Sequence, residues 1–180
     1  MTVQMQAVAQ AIVDAGLAET RAWLRIETTS DDATIRSLVA AAIGTAEEYC
    51  AQLMFARSGT ETLGASSEWT RLRACPVQSI TAARGLPAEG SIFALAAEAY
   101  AIDITADGDG WVRVSQPGSA GRVEVDVTAG IAADWASLPD PLRQGIVRLA
   151  AHLFTERESS DPAPTIITAL WRPWRRMRLA

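Results

Sequence analysis

Apolar residues recur every three or four positions in three parts of the chain, and every second position in the part between them. The clearest helical stretch lies at 138–158. Leu142, Ile146, Leu149 and Leu153, with Val147, Ala150 and Phe154, form one broad apolar face. Asp140 can cap its first turn, Pro141 suits the first helical position, and Ser159-Ser160-Asp161-Pro162 stops it. A helix this apolar needs a partner, and Ala33 to about Ala51 supplies one through Ile35, Leu38, Val39, Ala42, Ile43, Ala46, Tyr49 and Cys50. Thr28-Thr29-Ser30-Asp31-Asp32 reads as its capping cluster, and Ala40, Ala41, Ala42 and Gly44 are small enough to admit a second helix axis. Glu47 and Glu48 sit near its C-terminal end, where carboxylates are mildly unfavourable, which implies a compensating neighbour. Upstream, Leu17–Ile26 predicts a short amphipathic helix around Trp23. Residues 1–16 read as a helix or loosely held arm, broken at Gly16.

Between the helical stretches the period shortens to two. Thr60–Leu63 and Glu68–Arg73, separated by Gly64-Ala65-Ser66-Ser67, predict an antiparallel pair. Cys75-Pro76 interrupts the ladder because proline has no N–H to donate. Val77–Ala83 resumes it, with Val77, Ser79 and Thr81 on one face and Gln78, Ile80 and Ala82 on the other. Gly85–Gly90 reads as a turn, and Ile92–Ala99 is Ala-rich enough for a short helix. Tyr100–Ile104 and Trp111–Ser115 predict strands around Asp107-Gly108-Asp109-Gly110, and Arg122–Thr128 alternates cleanly on Val123, Val125 and Val127. The segment 165–179 carries Ile166, Ile167, Leu170, Trp171, Trp174 and Met177 among Arg172, Arg175, Arg176 and Arg178.

The order predicts an α+β fold: a small helical bundle with an antiparallel β-strand block inserted between the second and third main helices. We expect one domain over 1–180. Its parts are an N-terminal arm or helix (1–16), helices (17–51), a strand block (53–130), the long helix (138–158) and a C-terminal Trp/Arg segment (165–179).

Composition narrows the chemistry. All 16 basic residues are arginine, which excludes a P-loop lysine, Schiff-base chemistry and a kinase-type lysine. One histidine, His152, excludes multi-histidine metal sites. It sits mid-helix beside the apolar face with no nucleophile elbow in the sequence, so it reads as structural. Cys50 and Cys75 lie in no metal-ligand spacing and read as reduced, partly buried thiols. No apolar run is long enough for a bilayer, and the first basic residue is Arg21, so neither a membrane span nor a signal peptide is expected. With 49% hydrophobic residues and a net charge of −5, the chain is a globular protein not built to grip nucleic acid over its whole surface.

Two places stand out. Asp107 and Asp109 lack the later ligands of a calcium loop and read as a hairpin turn, or as carboxylates lining a channel. Trp171, Arg172, Trp174, Arg175, Arg176 and Arg178 admit three readings: tryptophans that close the core, an anchor for a partner, or a DNA contact. On the anchor reading, truncation before Trp171 leaves a folded domain.

Taken in order, several of these pieces resemble the head–tail connector (adaptor) proteins of long-tailed phages and gene transfer agents. They are Leu17–Ile26, Asp31-Asp32 through Glu48-Tyr49, Pro76-Val77-Gln78-Ser79-Ile80, Tyr100–Asp103, Val127–Gly130, Leu138–Gln144 through His152 and Arg157, and Ala169-Leu170 to Arg175. The departures are residues 1–16, the Ile92–Ala99 insert and the two tryptophans near the end. The resemblance implies a non-enzymatic virion protein without cofactors or metal, made in a bacterial cytoplasm. It implies a homo-oligomeric ring, commonly of twelve subunits, docked under the portal protein and meeting the next neck or tail-completion protein. DNA would pass through the channel without sequence-specific binding. The rival reading is a DNA-binding packaging accessory, a small terminase-like module.

Overall fold

The computed structural model describes residues 2–156 and 164–176. Among these residues the fold is α+β, with four α-helices, one five-stranded sheet and one three-stranded sheet. The chain divides into two compact units. One is built from 8–55 and 131–180, the other from 1–7 and 56–130.

The helical unit holds α1 (Gln10–Leu24), α2 (Asp32–Cys50), α3 (Asp140–Thr155) and α4 (Thr165–Trp171). As the periodicity predicts, α2 packs on α3. Ile35, Val39, Ala42, Ile43 and Ala46 share one core with Leu142, Ile146, Val147, Leu149 and Ala150, and α1 adds Ile12, Val13 and Leu17. Leu153, expected on this face, is exposed instead. Glu47 has its compensating neighbour: its carboxylate accepts the Met54 N–H at 2.9 Å.

Several helix expectations need correcting. Gly16 does not break a helix; α1 runs straight through it. There a Cβ would lie 2.7 Å from Val39 and 3.0 Å from the Trp135 ring, so the glycine marks a close approach. Ala40, Ala41 and Gly44 are exposed, because Ile35, Val39, Ala42 and Ala46 fix the buried face and turn those positions outward. The close approach on α3 is at Gly145, against the Trp171 indole. Asp140 is the first residue of α3, not its cap. Pro139 holds the cap position without a side-chain bond, and Asp140 instead receives Arg143 at 2.6 Å. Asp31 occupies the α2 cap position, again with no side-chain cap bond. The stop at Ser159–Pro162 lies outside the described residues.

The strand unit begins at the N-terminus. Residues 2–5 form a strand, not a helix or loose arm: β1 (Thr2–Met5) pairs antiparallel with β2 (Arg57–Gly64), from Thr2 opposite Thr62 to Met5 opposite Gly59. Four residues are too few for periodicity to separate strand from helix. The other strands are β3 (Thr70–Arg71), β4 (Val77–Pro87), β5 (Phe93–Ala94), β6 (Tyr100–Ile104), β7 (Gly110–Val114) and β8 (Ala120–Ala129). The large sheet has the order β1-β2-β8-β4-β5 and the small one β3-β7-β6.

The expected pair of Thr60–Leu63 with Glu68–Arg73 is not formed. β2 lies between β1 and β8, while β3 is only two residues long and joins β7. Part of the reason is Glu61. Its side chain is fully buried and both carboxylate oxygens accept the Arg73 N–H at 2.8 Å, so that N–H is bonded to a β2 side chain rather than to the β2 backbone. β4 starts directly after Pro76, as expected, but its faces do not alternate. Register shifts between Val77 and Ser79 and between Ile80 and Ala82 bury both Val77 and Ile80. β4 also continues through Gly85-Leu86-Pro87, which the sequence suggests is a turn. Ile92–Ala99 supplies β5 and a single 3₁₀ turn, Ala97–Ala99. β8 matches its pattern, with Val123, Val125 and Val127 buried.

Candidate functional site

The C-terminal segment combines core and surface roles. α4 ends at Trp171 and continues as a 3₁₀ turn, Arg172–Trp174. Trp171 is 2% exposed, its Nε1–H donates to the Leu142 carbonyl at 3.3 Å, and its ring lies 5.9 Å from that of Tyr49. It is a core residue of the helical unit. The Trp174 carbonyl accepts the Gln52 amide at 2.5 Å, and the Arg176 N–H donates to the Cys50 carbonyl at 2.9 Å. The segment is therefore strapped across the C-terminal end of α2. That end has no basic residue of its own, and the Arg175 guanidinium sits 5.6 Å over the Tyr49 ring in its last turn. A cation there complements the negative end of the helix dipole. Arg172 and Arg175 are exposed, while Arg178 lies outside the described residues.

Asp107 and Asp109 occupy the turn of the β6–β7 hairpin. Gly108 adopts φ +77 with Pro76 packed where its Cβ would be, so the position demands glycine. Asp109 is tied down: its carboxylate pairs with Arg71 at 2.7 Å and its N–H donates to the Thr105 hydroxyl at 3.1 Å. Asp107 is exposed. The structure does not bring this turn and the Trp/Arg segment into one unit.

His152 is half-buried beside a groove of α1, α3 and α4. Cys50 and Cys75 are buried thiols outside any disulfide, and burial pushes the Cys50 thiol up to about 11. Among the described residues no helix is long and apolar enough to cross a membrane.

Other polar features escape sequence reasoning. Glu19 accepts the Trp135 indole N–H at 2.8 Å and the Gln144 amide at 3.0 Å. Arg84 lies between Glu124 and Asp126 on the large sheet, bonded to both, and these carboxylates hold its guanidinium firmly protonated. Arg148 stacks on Trp23, and Arg113 on Trp69. Two of these follow from strand register: Trp69 falls opposite Arg113 once β3 is placed against β7, and Arg84 opposite Glu124 once β4 is placed against β8.

Residues 14–72 match the family model of phage gp6-like head-tail connector proteins. Over its whole length the chain is similar to a subunit of the neck of an empty gene transfer agent (GTA) particle computed with C6 symmetry. The identity is 28%, the TM-score 0.81, and 100% of this chain and 98% of that one are covered. A subunit in the virion of a native GTA particle is 29% identical, with TM-score 0.78 and the same coverage. One in a native GTA neck computed with C12 symmetry is 28% identical, with TM-score 0.78, covering 98% of this chain and 97% of that one. No curated relative matches the chain.

Proposed function

We infer that this chain, a head–tail connector of the phage and gene transfer agent type, works as one subunit of a closed ring in the neck of the particle. It is a structural virion protein of the head–tail interface and not an enzyme. The likeness to neck subunits along the entire chain carries the reading, because it extends well beyond the segment the family model matches. No comparison favours a DNA-binding packaging accessory.

The finer assignments are proposals. The ring has twelve copies, docks under a portal protein, and presents its far side to a tail-completion protein while DNA passes through. Arg172, Trp174, Arg175, Arg176 and Arg178 are the portal- or subunit-facing set. Exposure of Arg172 and Arg175 supports this, with Trp171 anchoring the segment from inside. Asp107 and Asp109 are the channel-lining carboxylates; Asp107 is exposed, and Asp109 is held in place by Arg71 at 2.7 Å. Electron microscopy of the purified protein with its portal tests the whole. Twelve-fold rings seated on the portal are expected, and persistent monomers that ignore the portal would sink the reading.

A further inference from the structure

Of the four edge strands among the described residues, β3 and β5 have two residues each, which leaves β1 and β6 as the longer open edges of the strand unit. Which of their residues face the open side follows from the ladders, because successive N–H and C=O pairs of an antiparallel strand point to opposite sides. Just beyond the ends of the β6–β7 pair, the Thr105 N–H donates to the Asp109 carbonyl at 3.0 Å and the Ser115 N–H to the Ala99 carbonyl at 2.9 Å. The odd-numbered residues of β6 therefore bond to β7, and Tyr100, Ile102 and Ile104 turn their N–H and C=O outward. Just after β1, the Gln6 N–H donates to the Ser58 carbonyl at 3.0 Å, so Thr2 and Gln4 bond to β2 while Val3 and Met5 face out.

The side chains on the two edges match as well. Ile102 and Ile104 lie on the face of the small sheet that buries Val112, yet they are 42% and 36% exposed. Val3, opposite the buried Glu61, and Met5 lie on the core face of the large sheet and are half-buried. Asp103 and Gln4 stand on the other face of their strands, both exposed. Natural edges are blunted against pairing by lysine, proline or a bulge, and neither strand has any of these.

We propose that β1 of one copy of this chain adds to the open edge of β6 in the next copy, antiparallel, with Val3 opposite Ile104 and Met5 opposite Ile102. Both pairs then exchange backbone hydrogen bonds and bring their apolar side chains together on the core side. On the other side Gln4 meets Asp103, and its amide donates to the carboxylate. The pattern fixes the occupant: each edge is short, apolar on its core face and polar on the other, and the amide and carboxylate are complementary. The two edges differ, so the contact is heterologous and passes from copy to copy around an axis. This inference rests on the ring reading.

The test uses the full-length chain, alone and on its portal, and oxidises a variant carrying both Gln4→Cys and Asp103→Cys. Residues facing each other without backbone bonds have Cα atoms about 4.5 Å apart, within disulfide reach. Cys50 and Cys75 are buried and stay out of the reaction. A ladder of covalent multimers on a non-reducing gel is expected from the double variant and from neither single one. Thr2→Cys with Asp103→Cys, out of register, should cross-link about tenfold less. Val3→Pro removes an N–H from the open edge and none from the β2 ladder, and proline is tolerated where that N–H faces solvent. It should weaken association roughly tenfold in sedimentation velocity with melting unchanged; if it melts earlier, the cysteine result decides alone. Equal cross-linking from the Thr2→Cys variant overturns the register, and a stable Val3→Pro chain that assembles like the wild type overturns the contact. If wild-type rings form and the double cysteine variant does not cross-link within them, the contact falls while the ring reading stands. A wild type that stays monomeric even with portal removes both.

Discussion

Ala51 has φ +53 at the C-cap of α2, a left-handed conformation that costs a non-glycine residue roughly 1–2 kcal/mol. Its N–H nevertheless bonds back to the last turn of the helix, at 3.3 Å from the Glu48 carbonyl. Ala51→Gly keeps that bond and removes the strain, so it should stabilise the protein by about 1 kcal/mol, read as a higher midpoint in urea. Asp14 makes a different case. The Arg36 guanidinium 2.7 Å away, helped by the Gln10 amide, holds its carboxyl below the ordinary 3.8. A depressed carboxyl contributes stability above its unfolded value, and that contribution is lost as pH falls through the folded one. Arg36→Gln should therefore move the Asp14 titration upward in an NMR experiment; an unmoved titration would rule out the pairing. For Cys50, burial predicts no reaction with a thiol reagent at neutral pH until the protein is unfolded, when both cysteines label.

At the scale of elements, the contact of Trp171 with α3 decides what the C-terminal segment does. Trp171→Ala removes a large side chain from the core at a cost of about 3–5 kcal/mol, measurable by chemical denaturation. Gly145→Ala, which pushes a methyl into the indole, should also destabilise, by about 1–3 kcal/mol. Truncation before Trp171 is accordingly expected to unfold the helical unit, contrary to what the anchor reading implies; a truncated chain melting like the full one would refute this. Long, strongly periodic elements were legible from residues alone: α2, α3, β8 and the β6–β7 hairpin all lie where their patterns put them. Short or irregular ones were not. β1 offers four residues, the β4 bulges scramble its alternation, and β3 left β2 because Glu61 and β7 hold its neighbourhood. The Trp171 role was legible only as one of three options, since an amphipathic segment rich in Trp and Arg suits a core lid and a docking anchor equally well. The Trp23–Arg148 pair left no trace, because its partners lie on helices brought together only by the fold.

For the whole molecule, the order of helices, strands and helices was readable, and the resemblance it suggested is matched by neck subunits along the full chain. The division into two units was not readable, since it depends on which segments touch rather than on what each one is. The helical unit closes from opposite directions. Ile131 and Ala132 bond to Leu53 and Met54, and Trp171 settles on Gly145. During synthesis, then, the helical unit stays incomplete until residues 165–171 have left the ribosome. A product released before Trp171 keeps an unfilled notch over α3, beside Gly145. The tryptophan thus makes closure of the α2–α3 core wait for a segment 121 positions downstream of Cys50.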